Sequence, residues 1–340
     1  VDDLRGLDEP WYRRGDDVTS AEEAIRDMGL IRIEDIAHVR FSAPDLGAMR
    51  EFLEEFGLTC TGHVDGRLYA HGTDGRPYVH VTELGEPRFL GIAFRAACVE
   101  DLETLAGSTH GRLEPSTAPG GGCTIRLKDP DGFSVEVIAG QVASGATTGA
   151  ADPPLNTIAS RARVGRLPAS GPRPSKVARI AHVGLGVTDL RRSERWYKEV
   201  FGLLTSDEIE IAPGDATGAF LRCDRGKSPV DHHTVVFGQF TKGPRFLHAA
   251  FEVANIEDLM LGHAFLKSRN RRHVWGVGRH FLGSQIFDYW QDPWGHEVEH
   301  WTDGDFLTAA DPPGRASLAT SLASQWGSSH PGMSSARGGR

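Results

Sequence analysis

Between Arg279 and Trp301 the sequence RHFLGSQIFDYWQDPWGHEVEHW sets a histidine, a tyrosine and a glutamate around one tight turn. Residues 286–291 and 296–301 have strand character. Asp292-Pro293-Trp294-Gly295 between them carries Pro and Gly where a type I turn takes them, so the stretch is expected to be a hairpin. Side chains alternate across a strand, which puts Tyr289 on one face with Phe287, and Glu299 with Glu297 and Trp301. A carboxylate within a strand must be neutral, or charged and partnered. Where histidines converge on it, a metal ion is the commonest partner. The hairpin therefore predicts the floor of a metal site.

The histidines come from segments that recur. IAHVGLGVTDLRRSERWYKEVFGL (180–203) repeats IAHVRFSAPDLGAMREFLEEFGL (36–58), PRFLHAAFEV (244–253) repeats PRFLGIAFRA (87–96), and DPWGHEVEHW repeats DPDGFSVEVI. The chain is an internal duplication. At three aligned points the second copy has His182, His248 and Glu299, and the first has His38, Gly91 and Glu136. A site needs all three ligands, so the first copy is expected to have lost its metal and the second to have kept it. In IAHVGLGV, His182 shares a face with Gly184 and Gly186, which leaves room above the sheet. Ala181, Val183, Leu185 and Val187 are expected on the opposite, helix-facing side. His248 lies with Phe246 and Ala250, while Leu247, Ala249, Phe251 and Val253 face the core. Two neutral imidazoles and one carboxylate on neighbouring strands form a facial triad, with half of an octahedron left for ligands.

The elements that must position these residues follow from periodicity and punctuation. Residues 1–30 read as a charged N-terminal arm with one short helix, Ser20 to Met28. From Ile36 the pattern is strand, then a helix with Leu46, Met49, Phe52, Leu53 and Phe56 on one face and Gly57 as terminator, then three short strands. A second βαβββ unit starts at Arg88. The predicted organisation is α+β, with two tandem domains of two βαβββ modules each (31–140 and 178–304), a Gly, Ala, Ser and Pro-rich linker (141–177) and a loop-like C-terminal tail (305–340) whose last residues, SSHPGMSSARGGR, are expected to be disordered.

Composition limits the function classes. With 340 residues, 39% hydrophobic and 24% charged, the chain can fill two ordinary domains. No apolar run approaches the ~18–20 residues of a membrane helix, and the acidic, Arg-containing start is unlike a secretory leader, so a soluble, cytoplasmic protein is expected. Cys60, Cys98, Cys123 and Cys223 form no CxxC pair, which argues against a zinc knuckle or a disulfide framework. Net charge −9 argues against a nucleic-acid partner, and the basic run 267–273 is too short to reverse that.

With these residues in view, the pattern resembles the type I extradiol dioxygenases of the vicinal oxygen chelate (glyoxalase) superfamily, whose paired βαβββ units form incomplete barrels. The resemblance covers roughly residues 30–305. It implies His182, His248 and Glu299 as the metal ligands. It also implies three residues around the metal without binding it: His233 of HHTVVF, fifteen residues before His248, His280 of GRH, and Tyr289, ten before Glu299. His233 is the implied acid/base, suited by an imidazole pKa near 6.5. His280 and Tyr289 are the implied hydrogen-bonding partners of the substrate oxygens. The implied cofactor is Fe(II), with Mn(II) in some relatives, and the implied reaction inserts both atoms of O₂ into a catechol-type diol next to its hydroxyls. A homo-oligomer is implied as well.

Each residue also has a plain structural reading. A single histidine on a strand is more often a hydrogen-bonded core residue than a ligand, and the joint pattern is what favours function here. His232, His296 and His300 are read as structural, with His232 on the opposite face of the strand from His233. Trp275, Trp290 and Trp294 fit a pocket wall and core packing equally. The same superfamily holds glyoxalase-type isomerases and metal-free aromatic-ligand binders, so a metal-dependent isomerase and a non-enzymatic binder stand as alternatives. Some relatives that act on carboxylated catechols place an arginine where this chain has Trp275. A hydrophobic or bicyclic ring is therefore expected, with Arg271 and Arg272 as the residues that could reverse this.

Overall fold

Each repeat opens with an eleven-residue strand that runs directly into a capped helix. In a computed structural model of the chain, which describes residues 11–14, 29–62, 64–145, 155–165 and 171–331, Asp45 accepts the amides of Gly47 and Ala48 at the start of the first helix. Asp189 accepts that of Arg192 at the start of its counterpart. Both helices end on a left-handed glycine, Gly57 (φ 111°) and Gly202 (φ 65°), where a side chain would be strained. The same acid–glycine punctuation thus bounds the same element twice.

After β1 (Tyr12–Arg14) the first copy runs β2 (Ile33–Ala43), α1 (Leu46–Phe56), β3 (Thr59–Cys60), β4 (Arg67–His71), β5 (His80–Leu84), β6 (Arg88–Ala96), α2 (Val99–Ser108), β7 (Leu113–Pro115), β8 (Cys123–Lys128) and β9 (Ser134–Ala139). The second runs β10 (Val177–Val187), α3 (Leu190–Phe201), β11 (Leu204–Ala212), β12 (Asp215–Arg222), β13 (Val230–Asp231), β14 (Val235–Gln239), β15 (Arg245–Val253), α4 (Ile256–Ser268), β16 (Arg272–His280), β17 (Ile286–Gln291) and β18 (Glu297–Thr302). Then come β19 (Phe306–Leu307), β20 (Gly314–Ser317), α5 (Leu318–Leu322) and β21 (Ser324–Gly327). The fold is mixed α+β. The N-terminal sheet has the order β3-β4-β5-β2-β6-β9-β8-β7, and the C-terminal sheet β1-β20-β11-β12-β14-β10-β15-β18-β17-β16-β21. Around the central pair the orders match: β5-β2-β6-β9-β8-β7 in one and β14-β10-β15-β18-β17-β16 in the other.

One continuous apolar core lies between the sheets and takes in residues of both. The ring of Phe56 on α1 stacks on His300 of β18 with centroids 3.8 Å apart, and His300 Nε2 donates to the Phe56 carbonyl at 2.7 Å. From the other side, Phe201 on α3 packs against Phe94 of β6. His300 thus joins the two halves, and His296 is held at the hairpin by Asp292, at 2.8 Å. None of the described helices is long and apolar enough to cross a membrane.

Four expectations need correction. Leu247 does not face the core: the β10–β15 register slips between Gly184 and Leu185, and Leu247, skipped in the pairing, lies outside the core, on the cavity side with His248. Ala181 does not face the helices. The β10–β15 register slips between Ile180 and His182, as at a bulge, and Ala181 instead packs with Ala250 and Trp301, while Ile180, Val183, Leu185 and Val187 fill the core. His232 and His233 lie between β13 and β14 rather than within a strand, so strand alternation does not separate them. The region beyond Asp305 is not merely loop-like: β20 pairs parallel with β11 and antiparallel with β1, and β21 pairs with β16. These strands are short and lack clear period-two alternation, which hid them. The predicted helix Ser20–Met28 and the final residues 332–340 lie outside the described residues.

Candidate metal centre

Four neighbouring strands aim side chains at one point. His182 comes from β10, His248 from β15, Tyr289 from β17 and Glu299 from β18, and the ladder sets His182 across from Ala250, Ala250 from Glu299, and Glu299 from Tyr289. Gly184, opposite His248, makes the space: a Cβ there would lie 2.7 Å from the His248 ring. Glu299 Oε2 is 3.3 Å from His182 Nε2 and 3.7 Å from His248 Nε2.

The electrostatics are those of a missing positive charge. Glu299 is fully buried, and among the described residues neither of its oxygens makes a hydrogen bond; His248 Nε2 is also buried without one. Burial pushes the Glu299 carboxyl up to about 7, and it pushes His182 down to about 3 and His248 down to about 4. The carboxylate thus lies within 3.7 Å of both imidazoles without a hydrogen bond to either. A divalent cation would satisfy all three. The donor set, two nitrogens and one oxygen on one face, suits a mid-row transition metal such as Fe(II) or Mn(II).

The remaining predicted residues line the same cavity, of about 500 Å³. The ring of His233 is 4.1 Å from that of His182. His280 Nε2 is 3.3 Å from the Tyr289 hydroxyl and 3.9 Å from Glu299 Oε1. Burial drives both of these histidines well below the usual imidazole range and the Tyr289 phenol well above its own, so all three are neutral. Trp275 stacks on Tyr289 at 5.3 Å and walls the cavity, whereas Trp290 is buried in the core. Arg271 is tied to Glu55, and neither it nor Arg272 reaches the cavity.

Two contributions were missed in the sequence. Leu318, Leu322 and His330, from the C-terminal segment, close one side of the cavity, and His330 packs edge-on against Trp275 at 4.7 Å. His232, read as structural, has its Nδ1 3.0 Å from His233 Nδ1. The adjacent pair HisHis was the available signal, and treating the segment as a strand concealed it.

A second cluster, His263, His273 and Asp288, lies on the helix side of β17. There Asp288 accepts from both histidines and from Trp290 Nε1 at 2.7 Å. Its hydrogen bonds are complete, in contrast to those of Glu299.

A profile described as "Glyoxalase/Bleomycin resistance protein/Dioxygenase superfamily" matches residues 179–300. The chain is 27% identical to metapyrocatechase 2 of Cupriavidus necator over 301 residues, covering 87% of this chain and 89% of that one. It is 25% identical to an iron-dependent extradiol dioxygenase of Rhodococcus jostii (strain RHA1) over 331 residues, covering 87% and 96%. Among solved structures, the Mn(II)-bound glyoxalase from Novosphingobium aromaticivorans superposes with a TM-score of 0.73 at 22% identity, covering 88% of this chain and 93% of that one, a likeness of fold.

Proposed function

We propose that this chain, whose residues 179–300 are a domain of the glyoxalase/bleomycin resistance/dioxygenase superfamily, is a ring-cleaving extradiol dioxygenase that inserts both atoms of O₂ into a catechol-type diol. The observation that carries the reading is the buried, unpartnered Glu299 facing His182 and His248, with His233, His280 and Tyr289 in the same cavity. Metapyrocatechase and an extradiol dioxygenase as full-length relatives support it.

His182, His248 and Glu299 would hold the metal, which we take to be iron, the metal in the name of one relative, in its Fe(II) state. Bound there, it would supply chelation of both diol oxygens and electron transfer to O₂, which Zn(II) cannot supply. The protein residues do the rest. His233 takes a phenolic proton, and its neutral ring is the form that can accept one. Tyr289 and His280, already within 3.3 Å of each other, donate hydrogen bonds toward the oxygens of the bound ring. Phe220, Leu247, Trp275 and Leu282 exclude water and grip the ring.

The substrate we favour has an apolar substituent or a second ring. Among the described residues no arginine or lysine lines the cavity, and its far wall carries Ile209, Leu318 and Leu322.

The test is to load the full chain anaerobically with Fe(II), add 3-phenylcatechol or catechol, and admit O₂. Oxygen uptake with a yellow ring-opened product is the expected result. Isomerisation of a glutathione hemithioacetal without O₂ uptake would transfer the protein to the isomerases, and tight catechol binding with no turnover would make it a binder.

A further inference from the structure

Behind His233, on the side away from the cavity, lies a buried chain of two contacts. His232 Nδ1 is 3.0 Å from His233 Nδ1, and His232 Nε2 is 2.7 Å from Asp207 Oδ2. Asp207, His232 and His233 are all buried. The main chain is fixed at this point, because Ser206 donates its hydroxyl to the His232 carbonyl and itself accepts from Arg222 Nη1 at 3.0 Å. Phe220 packs edge-on against both rings.

The seat of Asp207 is equally constrained. On β11 it faces Gly314 of β20, where a Cβ would come 2.0 Å from Asp207 Oδ1. The hydroxyl of Tyr12 stands beside it: burial and then the Asp207 charge push that phenol up to about 12. Elements from both ends of the chain therefore enclose the carboxylate.

Proton placement follows from counting. A carboxylate only accepts, so the hydrogen in the Asp207 contact is on His232 Nε2. With that single N–H on the His232 ring, its Nδ1 is an acceptor, and the hydrogen between the two rings belongs to His233 Nδ1. His233 Nε2 is left bare. This is how an orienting carboxylate selects a histidine tautomer in a hydrolase triad, with one additional ring in the relay.

We propose that Asp207 and His232 are positioning residues that hold His233 as the Nδ1–H tautomer, its bare Nε2 ready to take the proton of a bound diol. The role of His233 as base rests on the functional reading above. The tautomer does not. When Nε2 takes a proton, the charge on the His233 ring is backed by His232 and, one ring further, by Asp207. No group but the diol gives up a proton in that step.

The experiment has two arms. In the first, imidazole ¹⁵N spectra of the Zn(II)-loaded, diamagnetic full chain should show His233 protonated at Nδ1 and bare at Nε2, and His232→Leu should lose this pattern. In the second, Fe(II)-loaded His232→Leu should keep one iron and a KM within about threefold, yet lose about 10–100-fold in kcat, part of what removing a general base costs. His232→Asn should recover most of that loss, since its Oδ1 occupies the Nδ1 position and accepts. Asp207→Asn should lower kcat in the same way if the Leu variant does not fold. A wild-type spectrum with His233 protonated at Nε2, or a Leu variant with unchanged kcat, would overturn the proposal. If wild-type protein cleaves no diol, the functional reading fails, and the spectrum still decides the tautomer.

Discussion

In the N-terminal sheet Glu136 sits among His38, Arg40 and Arg126; in the C-terminal sheet Glu299 sits among His182, His248 and Tyr289. Register makes the pairs equivalent. His38 corresponds to His182, Arg40 to Gly184, Gly91 to His248, Arg126 to Tyr289, and Tyr78 to His233. Arg40 bonds both Glu136 and Glu83, and Arg126 Nε donates to Glu136 at 2.8 Å. Burial pushes Glu136 up, but His38, Arg40 and Arg126 together hold it down at about 2, whereas burial leaves Glu299 at about 7. A buried glutamate must be neutral or have a positive charge beside it, and the two halves meet that need differently. In one the charge is two guanidinium groups. In the other, on the functional reading proposed above, a bound metal would supply it.

The strongest test of this contrast is metal content. Fe(II)-reconstituted protein should carry one iron per chain, and His248→Ala should drop iron and ring cleavage to background. Two irons per chain, removed independently, would break the comparison. Next in size is His233→Gln, which should keep its iron and lose about 10²–10⁴-fold in kcat, the usual cost of a missing general acid or base. Tyr289→Phe should also retain iron while turnover falls, and Tyr78→Phe, at the equivalent position of His233, should leave turnover unchanged. Release of iron from the Tyr289 variant would move that residue into the ligand set.

A smaller effect is expected in the N-terminal half. Arg40→Ala should lower stability by about 2 kcal/mol, measured by urea midpoint, with iron content and turnover per folded molecule unchanged. The pKa of Glu136 in the folded state, about 2, lies below its usual 4.5, a difference of about 3 kcal/mol. The stability it contributes is present above about pH 4.5 and is lost as pH falls through about 2. The Arg40 variant should therefore show a shallower acid limb, and an unchanged limb would mean that Arg126 alone holds the carboxylate. The smallest metal effect belongs to Gly91→His, which should bind no second iron. Its φ of 152° and a Cβ 2.2 Å from the Ser134 carbonyl oxygen disfavour any side chain there.

The residues that periodicity could place were legible in the sequence. His182, His248 and Glu299 follow from a repeat plus strand alternation, and Tyr289 from a two-strand hairpin closed by Asp-Pro-Trp-Gly, whose Gly295 amide bonds the Asp292 carbonyl at 3.1 Å. What strand alternation could not reach was decided by irregular backbone or by distant pairing. The slip at Ala181 breaks the period within the motif itself. His232 and His233 lie in a connection with no period to read. β20 and β21 are four residues each and exist because β11 and β16 offer free edges. Gly91 pointed to a lost ligand, but nothing local showed that Arg40, from the facing strand, fills the gap.

That exchange of a glycine for a long side chain across two strands also makes the two arrangements mutually exclusive. With an imidazole at the His248 position, any side chain at Gly184 would collide with it at 2.7 Å. On the facing strand of the N-terminal sheet, a Cβ at Gly91 would meet the Ser134 carbonyl oxygen at 2.2 Å, so the glycine opposite Arg40 is held by the main chain behind it. With Arg40 paired to Glu136 and Glu83, a three-ligand site in this half would need a change at Arg40 as well as at Gly91. The two halves thus give the same buried glutamate neighbours that exclude one another.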